Sequence, residues 1–119
     1  MNMVKIEAII RPERVGLVVE ALERVGCGGF HLLNVTGRGN QKGVEIFVGR
    51  GTSSATRSSL PKTLVVTVVE DRDQDKVVDA LIEANRSGEQ GRIGDGKIFI
   101  SPVSEVVRVR TGEKNEKAL

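Results

Sequence analysis

A chain of 119 residues has room for one domain with a modest core, and its 39% hydrophobic and 29% charged residues are ordinary for a soluble globular fold. A net charge of +2, from 18 basic and 16 acidic residues spread along the chain, excludes the dense basic stripe of a duplex binder. With no Trp, no Tyr and three Phe, the chain also lacks an aromatic platform for single strands, so no nucleic-acid partner is expected.

Val4, Ile6, Ala8 and Ile10 alternate with Lys5 and Glu7, which predicts a half-buried first strand. Arg11-Pro12-Glu13 follows, with Pro at a first helical position and an acid in the first turn. Val15, Val18, Val19, Leu22 and Val25 then recur at three and four, giving one apolar helix face that Gly26, Gly28 and Gly29 bring to a stop. Residues 30–36 read as a second strand. Residues 64–69 read as a third, apolar almost throughout and so central and covered on at least one face. Residues 71–75 are acidic and suit a helix start. Val77, Val78, Leu81 and Ile82 make a second amphipathic helix ending near Arg86-Ser87-Gly88. Residues 98–100 form a fourth strand and 107–109 a short fifth, and the charged tail after Gly112 is expected to be loose.

The order strand, helix, strand, strand, helix, strand predicts an α+β, ferredoxin-like βαββαβ sandwich. Two helices cover one sheet face. The other has no cover within the chain, so an oligomer is expected. Residues 39–60 form a long connection rich in Gly, Ser, Thr and Arg, suited to docking on a partner.

Gly91-Arg92-Ile93-Gly94-Asp95-Gly96-Lys97 has two Gly four residues apart followed by Lys, as in a phosphate loop. Ile98 stands where a Walker site needs Ser or Thr, and a strand follows instead of a helix. What survives is phosphate cradling by backbone N–H groups with Lys97 as a point charge, set against a plain glycine turn. Arg108 and Arg110, two apart, share one face if they lie on a strand, an arrangement suited to phosphate. Gln41 and Lys62 sit near the two ends of the long connection and flank one pocket if those ends are close. No catalytic constellation is present. His31 is the sole His, there is no His/Cys metal cluster, and the loop serines have no partner base. The single cysteine, Cys27, reads as a small buried apolar residue. Without a signal sequence or a run of ~20 apolar residues, the expected location is cytoplasmic.

These residues resemble the PII nitrogen-regulatory signal-transduction proteins. The resemblance is carried by Lys5-Ile6-Glu7-Ala8-Ile9-Ile10-Arg11-Pro12, Gly37-Arg38-Gly39-Asn40-Gln41-Lys42-Gly43, Leu60-Pro61-Lys62, Gly94-Asp95-Gly96-Lys97-Ile98-Phe99 and Arg108-Val109-Arg110-Thr111-Gly112-Glu113. It implies a single domain over residues 1–119, with a T-loop at 39–60, a phosphate-binding B-loop at 88–97 and a C-terminal segment at 104–119. It implies a homotrimer with ATP or ADP in the clefts between subunits and no enzymatic activity. Gly94, Asp95, Gly96 and Lys97 would form the phosphate loop, with Arg108 and Arg110 reaching the phosphates from a neighbour. Gly37 and Gly39 would line the nucleotide site at the base of the T-loop, and Val68 would sit near the adenine. Gln41 would ligate magnesium beside ATP, and with Lys62 it would bind 2-oxoglutarate. Arg50, at the tip of the T-loop, would dock on a membrane transporter, first an ammonium transporter, or on a metabolic enzyme. With no Tyr in the loop, tyrosine uridylylation is excluded. Alternatives are a nitrogenase-associated paralogue, an adenine-nucleotide sensor without a 2-oxoglutarate response, and, from another class, a small ATP-hydrolysing enzyme.

Overall fold

The computed structural model describes residues 2–37, 45–47, 54–56 and 60–119. Strand β1 (Met3–Ile10) leads through a single 3-10 turn (Pro12–Arg14) into helix α1 (Val15–Arg24). Pro12 has no N–H to leave unpaired, so it suits this first turn. The helix ends in a Schellman arrangement: Gly26, at φ +81°, donates to Glu23 and Cys27 donates to Leu22. Strand β2 (Phe30–Gly37) follows. Two short strands, β3 (Glu45–Phe47) and β4 (Ser54–Thr56), pair with each other inside the long connection. Strand β5 (Leu60–Glu70), helix α2 (Gln74–Asn85) and strand β6 (Lys97–Val103) complete the domain.

The main sheet has the order β2-β5-β1-β6 with every neighbouring pair antiparallel, the ferredoxin-like arrangement expected from the element order. The central place of β5 explains its apolar composition, since it pairs on both sides. It starts four residues earlier than its hydrophobic run indicates, because Pro61 and Lys62 look like loop residues. Pro61 is tolerated because β1 reaches only as far as Thr63, so Pro61 is flanked by β2 alone. The fifth strand expected at 107–109 is absent. Val107 makes one isolated bridge to Lys114, and a turn closed by Gly112 (φ +71°) takes its place.

The core lies between the sheet and the helices. Ile6, Ala8 and Ile10 from β1 and Val65 from β5 meet Val18 and Leu22 of α1 and Val77 and Leu81 of α2. Cys27 joins this core, as its composition indicated. Thr67 Oγ1 donates to the Gly29 carbonyl at 2.6 Å, so its contact with Cys27 Sγ at 3.4 Å is an S–H donating to the hydroxyl. The opposite sheet face carries Leu33, Leu64, Val66, Val68 and Phe99, and Leu33 and Phe99 are 49% and 52% exposed. Leu22→Ala should cost about 3 kcal/mol in chemical unfolding, since Leu22 is fully enclosed. Leu17→Ala on the outer side of α1 should cost under about 0.5 kcal/mol.

Candidate functional site

The end of α2, the glycine loop after it and the end of β1 form one unit. Helix α2 stops where Arg86 turns extended (ψ 123°), its N–H still bonded to the Ile82 carbonyl. The chain then crosses the end of β1 before joining β6, where Lys97 faces Ile9 in register. At the crossing the two backbones touch. Gly96 has φ +126°, and a Cβ there would overlap the Ile9 carbonyl oxygen, so only glycine fits.

Asp95 holds the loop in shape. Its Oδ2 accepts from the backbone N–H groups of Ser87 and Arg92, each at 2.8 Å. Its Oδ1 accepts from Ser87 Oγ at 2.6 Å and, at 3.5 Å, from Arg11 Nε. Burial works against the charged form, but the hydrogen bonds from Ser87, Arg92 and Arg11 outweigh it and hold this carboxyl well below the usual range. Arg11 Nη2 also donates to the Ile93 carbonyl at 3.0 Å, and Arg14 Nη2 reaches Ser87 Oγ at 3.4 Å.

From the other side, Lys62 Nζ donates to the Gly94 carbonyl at 3.1 Å. Burial first, and the Arg11 charge second, lower its pKa, while Glu13 and Asp95 oppose them. The next strand thus delivers a desolvated ammonium to the glycine loop. Among the described residues, the side chains of Lys97, Arg86 and Arg92 have no hydrogen-bond or ion-pair partner. All three rim a cleft of about 720 Å³ floored by Ile82, Ile98 and Ile100. Among the described residues Asp95 is the one carboxylate lining that cleft, and it is already engaged. An unmatched set of cations beside glycine backbone is chemistry for an anion. Among the described residues no group of three His, Cys, Asp or Glu is placed to hold a metal.

The fold therefore brings Lys62 to the Gly94–Lys97 loop although they are 32 positions apart. Gly37 ends β2 opposite Leu60, at the same end of the sheet. Val68 lies on the open face six residues along β5, roughly 20 Å from Lys62 at the rise of a strand. Arg108 and Arg110 sit in the C-terminal arm. Without a strand there, the shared-face argument for them does not apply. Arg108 N–H instead donates to the Glu113 carbonyl at 2.9 Å, and its guanidinium lies 3.5 Å from the Glu113 carboxylate. Val109 between them is 99% exposed. No hydrogen bond or ion pair among the described residues links this arm to the glycine loop. Gly39, Gln41 and Arg50 lie outside the described residues.

Arg11, Arg14 and Ser87 belong to the unit yet read in the sequence as helix-boundary residues. A carboxylate between two glycines was the available signal, since Asp95 needs donors from elsewhere once its loop is packed.

Gly96→Ala should distort the loop and destabilise the fold by at least about 1 kcal/mol, measured by chemical unfolding. Asp95 supplies a pH signature. Its folded carboxyl ionises at lower pH than the unfolded one, so its stabilisation is full above about pH 4 and lost as pH falls below that. Thermal midpoints measured from pH 6 to pH 3 should therefore fall more steeply for the parent than for Asp95→Asn, with the difference confined to the range below about pH 4.

The chain as a whole is similar to known proteins. The sequence profile of the family described as nitrogen regulatory protein P-II matches residues 3–113. Nitrogen regulatory protein P-II 2 of Methanothermobacter thermautotrophicus is 48% identical over 118 residues, covering 98% of this chain and 97% of that protein. Nitrogen regulatory protein P-II of Microchaete diplosiphon is 51% identical over 118 residues, covering 98% of this chain and 100% of that one. The crystal structure of PII from Arabidopsis thaliana bound to citrate superposes with a TM-score of 0.77 at 38% identity, over 99% of this chain and 92% of that chain. The chain belongs to the nitrogen regulatory P-II family, a family of signal-transduction regulators and not of enzymes.

Proposed function

We propose that the chain is a homotrimeric sensor of ATP and ADP that also reads 2-oxoglutarate when magnesium and ATP are bound. It controls a nitrogen-metabolism partner, first an ammonium transporter, through residues 39–60, with Arg50 as a docking residue. The observation that carries this reading is the Lys62 ammonium resting on the Gly94 carbonyl. The residue assigned to the dicarboxylate and the loop assigned to the phosphates are neighbours before any ligand is considered.

The donor set fits these ligands. Lys97, the glycine backbone and the cationic rim favour polyphosphate. Magnesium would be held chiefly by phosphate oxygens with Gln41 as its protein ligand, as suits a hard cation that keeps few protein donors. Asp95 serves by shaping the loop. Second and third copies of the chain supply what one copy lacks: cover for the apolar sheet face, and the Arg108/Arg110 arm with Val68 as the far wall of the site. The glycine loop and the arm are both cationic, so their approach across a subunit boundary is repulsive until a polyanion lies between them. Adenine nucleotide is thereby coupled to the packing of the trimer.

Calorimetric titration tests the reading. ATP and ADP should bind, and 2-oxoglutarate should bind only with magnesium and ATP present. Absence of any adenine-nucleotide binding would contradict it. Lys62→Ala should abolish the 2-oxoglutarate response while sparing ADP. Light scattering should give three times the 12.9 kDa chain mass, and a monomer would remove the composite site.

A further inference from the structure

We propose that Arg11 is a positioning residue for anion binding, setting the direction of the loop's backbone N–H groups through the Ile93 carbonyl. The idea rests on the polyphosphate reading above and adds a residue to it.

A trans peptide unit is planar, with its C=O and N–H on opposite sides. Whatever fixes the carbonyl also aims the N–H. Arg11 Nη2 holds the Ile93 carbonyl at 3.0 Å, so the N–H of Gly94 points away from the Arg11 guanidinium. That N–H has no acceptor among the described residues. Lys62 fixes the next carbonyl, Gly94, at 3.1 Å, but the matching N–H of Asp95 is consumed by the Arg92 carbonyl at 3.1 Å. The Gly94 N–H is thus the one whose direction Arg11 controls and which is left to meet a ligand. Gly94 itself sits at φ +99°, a region open to glycine, so nothing in its own side chain resists rotation of the peptide. The restraint has to come from outside, and Arg11 supplies it.

Arg11 is held in turn. Its Nε lies 3.5 Å from Asp95 Oδ1, and Pro12 fixes the backbone immediately after it at the end of β1. A planar guanidinium can bond a carbonyl and a carboxylate at once in a fixed relation, which an ammonium cannot reproduce. Positioning and simple charge therefore separate on substitution. If Arg11 acted only as a nearby positive charge, Lys would restore its contribution.

The test uses the full chain with ATP as the probe, comparing the parent, Arg11→Gln and Arg11→Lys by calorimetry, with thermal midpoints and the ATP-induced NMR shift of the Gly94 amide proton measured alongside. Arg11→Gln should weaken ATP by about tenfold, in line with loss of a charged hydrogen bond. Arg11→Lys should recover only part of that, and the ATP-induced NMR shift of the Gly94 amide proton should be smaller than in the parent in both variants. Arg11→Lys, which keeps the charge, provides the comparison should Arg11→Gln fail to fold. ATP affinity within twofold of the parent in Arg11→Gln, full recovery in Arg11→Lys, or an unchanged ATP-induced shift of the Gly94 amide proton overturns the assignment. A parent chain that binds no ATP overturns the polyphosphate reading instead, so the two failures are distinct.

Discussion

The geometry of the site depends on one carboxylate. Asp95 accepts four hydrogen bonds from three places: the exit of α2 at Ser87, the loop at Arg92 and the end of β1 at Arg11. A largely buried charge is costly unless it is fully bonded, and here it is. Those bonds draw the loop tightly over β1, and this closeness is what leaves room only for glycine at position 96. An acid is an odd choice beside the proposed anion site, because its field would repel such a ligand. The cost is contained by facing the carboxylate inward and setting Arg11 against it, while Lys97 and Arg92 keep their charges at the rim.

The sheet register does the rest of the positioning. β1 is paired on both sides along its length, but β5 runs three residues beyond the β1 partner Thr63. Lys62 lies in that overhang. The loop before β6 fills the space past the end of β1, so the ammonium and the Gly94 carbonyl meet across a strand that has just ended. A one-residue shift of β5 would send Lys62 to the helix side of the sheet, since side chains alternate between faces. The contact is therefore a consequence of pairing along the whole strand, and not of loop chemistry alone.

The fold was largely legible. Alternation in β1 and three-and-four spacing in α1 and α2 are local signals, and the long apolar run correctly marked β5 as central. Local signals failed where context decided. Pro61 and Lys62 resemble a loop, and only the early end of β1 lets them extend a strand. Residues 107–109 alternate like a strand, but no second strand is there to pair with them, and Gly112 turns the chain back. Gly94–Lys97 and Lys62 stood out in the sequence as separate features, and the fold sets the Lys62 ammonium on the Gly94 carbonyl. Arg11, Arg14 and Ser87 did not stand out, because their part in the site is to bond to the loop from elements distant in sequence, and boundary residues carry no pattern for that.

The Lys62–Gly94 contact also bears on how a signal passes from one ligand to another. Any dicarboxylate that recruits the Lys62 ammonium must compete with the Gly94 carbonyl for it. Releasing that carbonyl changes one of the two restraints on the loop's peptide planes, while the Ile93 carbonyl stays on Arg11. Coupling between two ligands is reciprocal in free energy, so a loop shaped by phosphate alters the cost of taking Lys62 by the same amount that taking Lys62 alters phosphate binding. Lys62 lies two residues from the start of β5, where the long connection rejoins the sheet. A ligand-induced change at the Lys62 side chain would therefore act within two residues of the segment proposed to face a partner. The size of the response is limited by the difference in ligand affinity between the loop's states, and tight binding alone would not move it.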